Sequence, residues 1–215
     1  MIGIVAHLSR AAAARSLAER VGAAFVMMDD GTRGCNANHL DVWQALATNC
    51  TDEWAVILED DAVVADDFLA QLDMVLAAAP SDLVSLYRGH NVNNPAFETN
   101  GLAAGTSATI DDAHWVTGGH LLHAVAVCIR QTRVHDMLAH VRLLPATFPI
   151  DQAISHWAKG ADTPIGYCWP SIVDHEDGES VILRHHRYDK LPRPKGRVAY
   201  QFGSRSDWNS ETVPL

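Results

Sequence analysis

Apolar and polar positions alternate in blocks along this chain, and the blocks predict its elements. Residues 2–6, IGIVA, form a run short enough for one buried strand. Helical spacing follows over 9–23, SRAAAARSLAERVGA, with Ser9 placed as an N-cap and Gly22 near the stop. Residues 24–30, AFVMMDD, return to a strand that ends in two acids, Asp29 and Asp30. Such a β-α-β opening predicts an α/β fold with a mostly parallel central sheet flanked by helices.

The blocks continue. A loop from Gly31 gives way at about Asn36 to a helix with Leu40, Trp43 and Leu46 on one face. WAVILEDD reads as the third strand. Residues 65–80 read as a helix with acids in its first turn and Pro80 beyond its end, and 82–89 as the fourth strand. Residues 90–114 are rich in Asn, Gly, Thr and Ala without a strong period, and predict a long loop. A strand over 120–130, a helix in VHDMLAHVRLL and a helix over 149–160 follow, the last with Asp151 in its first turn and Gly160 at its end. PIGYCWPSIVDHEDGES predicts a strand and a polar loop. The chain divides at 183: an α/β domain over 1–183 and a basic, partly ordered tail over 184–215. No internal repeat is visible.

Charge sharpens that division. Residues 1–183 carry 9 Lys and Arg against 23 Asp and Glu, a net of −14, and residues 184–215 carry 7 against 3, a net of +4. The acidic body argues against broad nucleic-acid binding, while the tail keeps an anionic partner open. No apolar run approaches the roughly 20 residues of a membrane span, and MIGIVAHLSR lacks the basic start of a signal peptide, so a cytoplasmic protein is expected. The four cysteines, Cys35, Cys50, Cys128 and Cys168, show no C-x-x-C spacing and are expected to be reduced and mostly buried.

The candidate chemistry lies in residues 53–68, EWAVILEDDAVVADDF, where Glu59, Asp60 and Asp61 follow a buried strand without a spacer. Ligands of open α/β sheets bind at the carboxyl ends of the strands. Carboxylates crowded there repel one another, and burial worsens it. A divalent cation removes the difficulty: Mg²⁺ or Mn²⁺ takes oxygen ligands, often one or two carboxylates together with substrate phosphates. The expectation is a metal–diphosphate site, set against the simpler reading of a solvated acidic turn.

The surrounding residues carry a resemblance. Gly34, Cys35, His39 and Trp43, then Leu58 to Asp61, then Asp82 to Leu86, resemble the pattern of the family 25 glycosyltransferases, which include lipooligosaccharide and procollagen galactosyltransferases. Asn38 stands where that family usually has Ser. The likeness is strongest over 33–87 and continues more weakly in PIDQAI (149–154) and WPSIVDHEDGES (169–180). It implies a GT-A fold with a D-x-D-type metal motif, a nucleotide-sugar donor, UDP-linked by preference, and Mn²⁺ or Mg²⁺. It also implies roles. Asp61 is the first metal ligand, with Glu59 and Asp60 on metal, ribose or sugar, and His175 as a late ligand with Asp177 as runner-up. His7, Ser9 and Arg10 follow the first strand and face the nucleotide, where Arg10 pairs with phosphate. Asp29 bonds base or ribose. Cys35 packs near the nucleotide, and His39 bonds a donor hydroxyl or satisfies a core contact. Family 25 enzymes are regarded as inverting, which calls for a general base, and Asp151 is the candidate.

Other functions remain open on the sequence: glycosylation of a modified DNA base through the basic stretch 184–197, a divalent-metal nucleotidyltransferase or phosphohydrolase using the same acids, or a binding module without turnover. The sequence leaves the sugar, the acceptor glycan and the oligomeric state open.

Overall fold

The computed structural model describes residues 1–90, 95–178 and 196–215. The first strand, β1 (Ile2–His7), leads through a 3-10 turn at Leu8–Arg10 into α1 (Ala11–Val21). Gly22 ends this helix in the left-handed conformation at φ 61°, where its N–H donates to Ala18, and β2 (Phe25–Asp29) returns. Then come α2 (Cys35–Asn49), β3 (Trp54–Glu59), β4 (Ala62–Val64), α3 (Phe68–Ala77) and β5 (Leu83–Ser85). The second half holds α4 (Pro95–Ile110), β6 (Trp115–Gly118), β7 (Ala126–Arg130), α5 (Gln131–Val141), α6 (Ile150–Gly160), β8 (Ile165–Cys168), β9 (Val173–His175) and β10 (Thr212–Pro214).

Eight strands form one sheet in the order β10-β6-β8-β5-β7-β3-β1-β2, and β4 and β9 pair separately as an antiparallel ribbon. In the large sheet β1, β2, β3, β5 and β8 point one way and β6, β7 and β10 the other, so the sheet is mixed with a parallel majority. Helices cover both faces. Val56 and Leu58 of β3 face Ala14, Leu17 and Val21 of α1 and Phe68, Leu72 and Val75 of α3. Ile57 faces the opposite way, into Val42, Trp43 and Leu46 of α2 and the apolar sides of α5 and α6. A strand buried on both faces reads as an unbroken apolar run, which is why AVIL stood out.

Several boundaries differ from the sequence expectation. Residues 90–114 are not one long loop, because α4 fills Pro95–Ile110. Its buried face is made of small residues, Ala104 and Ala108, and Gly105 lies so close to Trp169 that an added Cβ would sit 2.4 Å from the ring. Close approach through small side chains leaves no apolar period to read. Ser9 does not cap α1: its hydroxyl meets His7 Nδ1 at 2.7 Å, and Arg10 occupies the cap position. The acids expected inside the first turn of α3 lie before it, where Asp67 bonds Gln71 and Ser204. The fourth strand is limited to Leu83–Ser85, and β7 begins only at Ala126.

All four cysteines are free thiols. Among the described residues no helix is long and apolar enough to cross a membrane. The division at 183 and the basic residues 184–195 lie outside the described residues. The final stretch is joined to the body. β10 pairs with β6, Trp208 Nε1 donates to Gln71 Oε1 at 2.9 Å, and Tyr200 N–H donates to the Arg88 carbonyl at 3.0 Å.

Asn38 shows how α2 is locked onto the sheet. Its side-chain amide, 1% exposed, donates to the carbonyls of Ala6 and Met27 at 3.0 and 3.1 Å, across β1 and β2. Removing it strands two buried acceptors, each worth about 1–3 kcal/mol when unpaired. Asn38→Ala is therefore expected to lower the unfolding free energy by about 2 kcal/mol, read from urea melts as a lower midpoint at unchanged slope.

Candidate active site

The site forms where β1, β2 and β3 end side by side. The register sets His7 opposite Asp29 and Val5 opposite Glu59. β7 runs the other way, so its beginning reaches the same rim: the Glu59 N–H donates to Val125 at 2.8 Å, which brings His123 beside the acids. The β4/β9 ribbon folds over this edge and places His175 opposite Ala62, next to Asp61. The first turn of α6 brings Asp151. Asn36 fixes that turn, accepting from Ile150 N–H at 3.1 Å and donating to the carbonyls of Ala146 and Phe148.

The three consecutive acids find partners on other elements, and two of them share one. Asp60, 8% exposed, accepts from the His7 N–H at 2.7 Å and from Arg10 Nη1 at 3.0 Å. Asp61 accepts from the same Arg10 nitrogen at 2.6 Å and lies 3.3 Å from His175 Nε2. Glu59 turns away and meets His39 Nε2 at 2.9 Å. The repulsion expected of the triplet is thus relieved by Arg10, His175 and His39. Burial raises the Asp60 carboxyl above its ordinary value against the pull of His7 and Arg10. Burial opposes ionisation of Asp61 as well, but His175 and Arg10 outweigh it and hold that carboxyl low. Burial works against His39 too, and the Cys35 thiol and Glu59 carboxylate overcome it, pushing the imidazole up to about 10.

Four polar atoms at this rim are buried with no partner among the described residues: Asp61 Oδ1, His175 Nδ1, His39 Nδ1 and His123 Nε2. Buried polar atoms are normally satisfied, so a free carboxylate oxygen beside an imidazole fits a hard divalent cation held by Asp61 and His175, its other positions left to substrate oxygens and water. Among the described residues, Cys35, His39 and Glu59 also form a group of three metal-capable side chains whose donor atoms lie within 4.8 Å of one another.

The remaining sequence candidates fall as follows. His7 contributes its backbone to Asp60, while its ring and Ser9 form an exposed pair. Asp29 is occupied by its own loop: its oxygens accept from the backbone of Gly31, Arg33 and Gly34, shaping the turn that starts α2. Asp30 likewise holds Thr32. Asp177 accepts from Gly196 N–H at 2.6 Å and lies 3.6 Å from Arg197, anchoring the returning chain. Asp151 is half-buried at the rim: burial raises its carboxyl above the ordinary value, and it senses both His123 and Glu59.

Sequence reasoning missed His123, Tyr87 and Asn36. His123 adopts φ 64°, uncommon for a residue with a side chain, and burial keeps its imidazole neutral. Tyr87 lies between His123 and His175, with ring centroids 6.0 and 6.2 Å away. A histidine breaking the apolar run HLLHAVAV was the one available signal.

Arg10 is the cation shared by Asp60 and Asp61, and removing one member of such a buried group leaves uncompensated charge. Arg10→Ala is expected to cost about 3 kcal/mol at pH 7. Without Arg10 both carboxyls hold a proton more readily than in the wild type, so protonation relieves the repulsion and the deficit narrows as pH falls. Paired denaturation curves of wild type and variant at pH 7 and pH 4.5 measure this narrowing.

No curated protein matches the chain. Among solved structures, the inositol-1-phosphate CTP transferase from T. maritima is similar at a TM-score of 0.39 and 6% identity, over 77% of this chain and 64% of that one. This chain thus spans under two thirds of that protein's length, at a similarity that says nothing about function. The sequence itself is more informative: residues 18–104 match the model of glycosyltransferase family 25 (LPS biosynthesis protein), a match that includes every residue from Gly34 to Leu86 named for the resemblance and supports a glycosyltransferase.

Proposed function

We propose that the chain is a GT-A-type glycosyltransferase that moves a hexose from a nucleotide sugar, UDP-linked, to a hydroxyl of an acceptor glycan with inversion. The observation that carries the reading is the Asp61–His175 pair, 3.3 Å apart at the sheet rim with one buried oxygen of Asp61 unpartnered. The pair lies at the edge where α/β sheets bind nucleotides. The family match over residues 18–104 supports the same reading.

In this reading Asp61 and His175 hold Mn²⁺ or Mg²⁺. When bound, the ion supplies Lewis acidity that stabilises charge on the departing nucleoside diphosphate. The chain's own residues do the rest. Asp60 and Arg10 form a fixed ion pair at the start of α1, and the guanidinium adds positive charge beside the diphosphate. Asp151 takes the proton from the acceptor hydroxyl as that oxygen bonds to the anomeric carbon and the bond to the diphosphate oxygen breaks. The raised affinity of Asp151 for a proton suits a base, because a more basic carboxylate withdraws the proton more strongly. Asn36 positions the base by holding the start of α6, and His123 flanks it as a neutral ring.

Two outcomes are expected. First, UDP with Mn²⁺ raises the melting temperature while either alone has little effect; at a hundredfold excess over Kd the stabilisation is about 2.7 kcal/mol. Asp61→Ala abolishes this shift and hexose transfer while the far-ultraviolet spectrum is kept. Nucleotide incorporation or phosphate release in place of hexose transfer, or a fully active variant, would sink the reading. Second, Asp151→Asn lowers kcat by roughly 10²–10⁴-fold with donor KM little changed. The ionised carboxylate is the active form, so wild-type kcat/KM falls as pH drops through its raised pKa. That acid limb should lie above the ordinary carboxylate value of about 4, and should vanish in the variant.

A further inference from the structure

The acids at the end of β3 face two ways, and the proposal above uses only one of them. On the other side Glu59 meets a thiol and an imidazole from α2. Cys35 is the first residue of that helix and His39 stands one turn later, so the two side chains share a face. With Glu59 Oε1 at 2.9 Å from His39 Nε2, the three donor atoms all lie within 4.8 Å of one another. His39 is 1% exposed, and its Nδ1 has no partner among the described residues. Cys35 and Glu59 are each partly exposed.

We propose that Cys35, His39 and Glu59 form a second metal site, selective for a thiophilic divalent ion such as Zn²⁺, with one coordination position open to water or an incoming ligand. Donor softness separates it from the first site. A thiolate with an imidazole favours zinc over magnesium or manganese, whereas Asp61 and His175 offer the harder set. Donor atoms around a tetrahedral zinc stand roughly 3.3–3.6 Å apart. Closing from within 4.8 Å to that spacing requires Cys35 and Glu59, both partly exposed, to turn toward His39. One thiolate and one carboxylate together balance a divalent charge once the metal has displaced the proton that His39 otherwise holds. Three protein ligands and an open fourth position are the pattern of zinc sites that exchange ligands. The other three cysteines are buried and separate from this cluster, so a sulfur-ligated metal reports on Cys35.

The inference does not depend on the proposed transfer reaction. Its test is titration of the chelator-stripped full chain with Co²⁺, a spectroscopic stand-in for Zn²⁺. The wild type should bind one equivalent with a thiolate-to-cobalt charge-transfer band, and Zn²⁺ should displace it. Cys35→Ser, at a partly exposed helix start, should lose the band while keeping its fold by circular dichroism. Glu59→Gln should keep the band but bind at least about tenfold more weakly. No thiolate band in the wild type at excess Co²⁺, or a band that persists in Cys35→Ser, would overturn the site. Cys35, His39 and Glu59 would then be a hydrogen-bonded group alone.

Discussion

The crowding of carboxylate charge at the end of β3 is the constraint around which this protein is arranged. Glu59, Asp60 and Asp61 leave a strand buried on both faces and cannot scatter into solvent. Each is met by a group from a different part of the chain: Arg10 from the turn before α1, His39 from α2, His175 from β9. The groups lie some 20 to 115 residues from the acids they meet, so the rim can assemble only when α1, α2 and the β4/β9 ribbon are all in place. Desolvating one such charge without its partners is costly enough to rival the whole stability of a domain. Site assembly and folding are therefore one event here.

Much of this was legible in the sequence, for an identifiable reason. β1 and β3 are buried on both faces, and strands of that kind announce themselves as unbroken apolar runs. The helices α1, α2, α5 and α6 bury wide apolar faces with large side chains such as Trp43, Met137 and Trp157. The acids at strand ends followed from those boundaries, and the spacing from Gly34 to Leu86 carried the family likeness that the match over 18–104 includes.

What stayed hidden depends on long-range packing. α4 packs through Ala104, Gly105 and Ala108, which carry no amphipathic signature. The short strands β4, β6, β9 and β10 take their identity from neighbours rather than from their own residues. In the site, the conformation of His123 and the clamp made by Asn36 are tertiary facts. Asp29 shows the other side of this. Asp29 looks in sequence like a ligand-binding acid at a strand end, but its oxygens fold the loop that follows it. A strand-end carboxylate can serve a ligand or its own turn, and only the turn geometry tells which.

The pairing of β6 with β10 has a consequence for how the protein is made. Trp115 bonds Asn209 from 94 residues away, and the strand pairing continues from there. A growing polypeptide exposes β6 as a bare sheet edge until that distant partner has left the ribosome. Unpaired edges invite pairing with other chains, and contacts this far apart in sequence form slowly. Synthesis of this protein therefore passes through a stage in which most of the sheet exists but its border is open. That interval is when a nascent-chain chaperone would matter most to its yield.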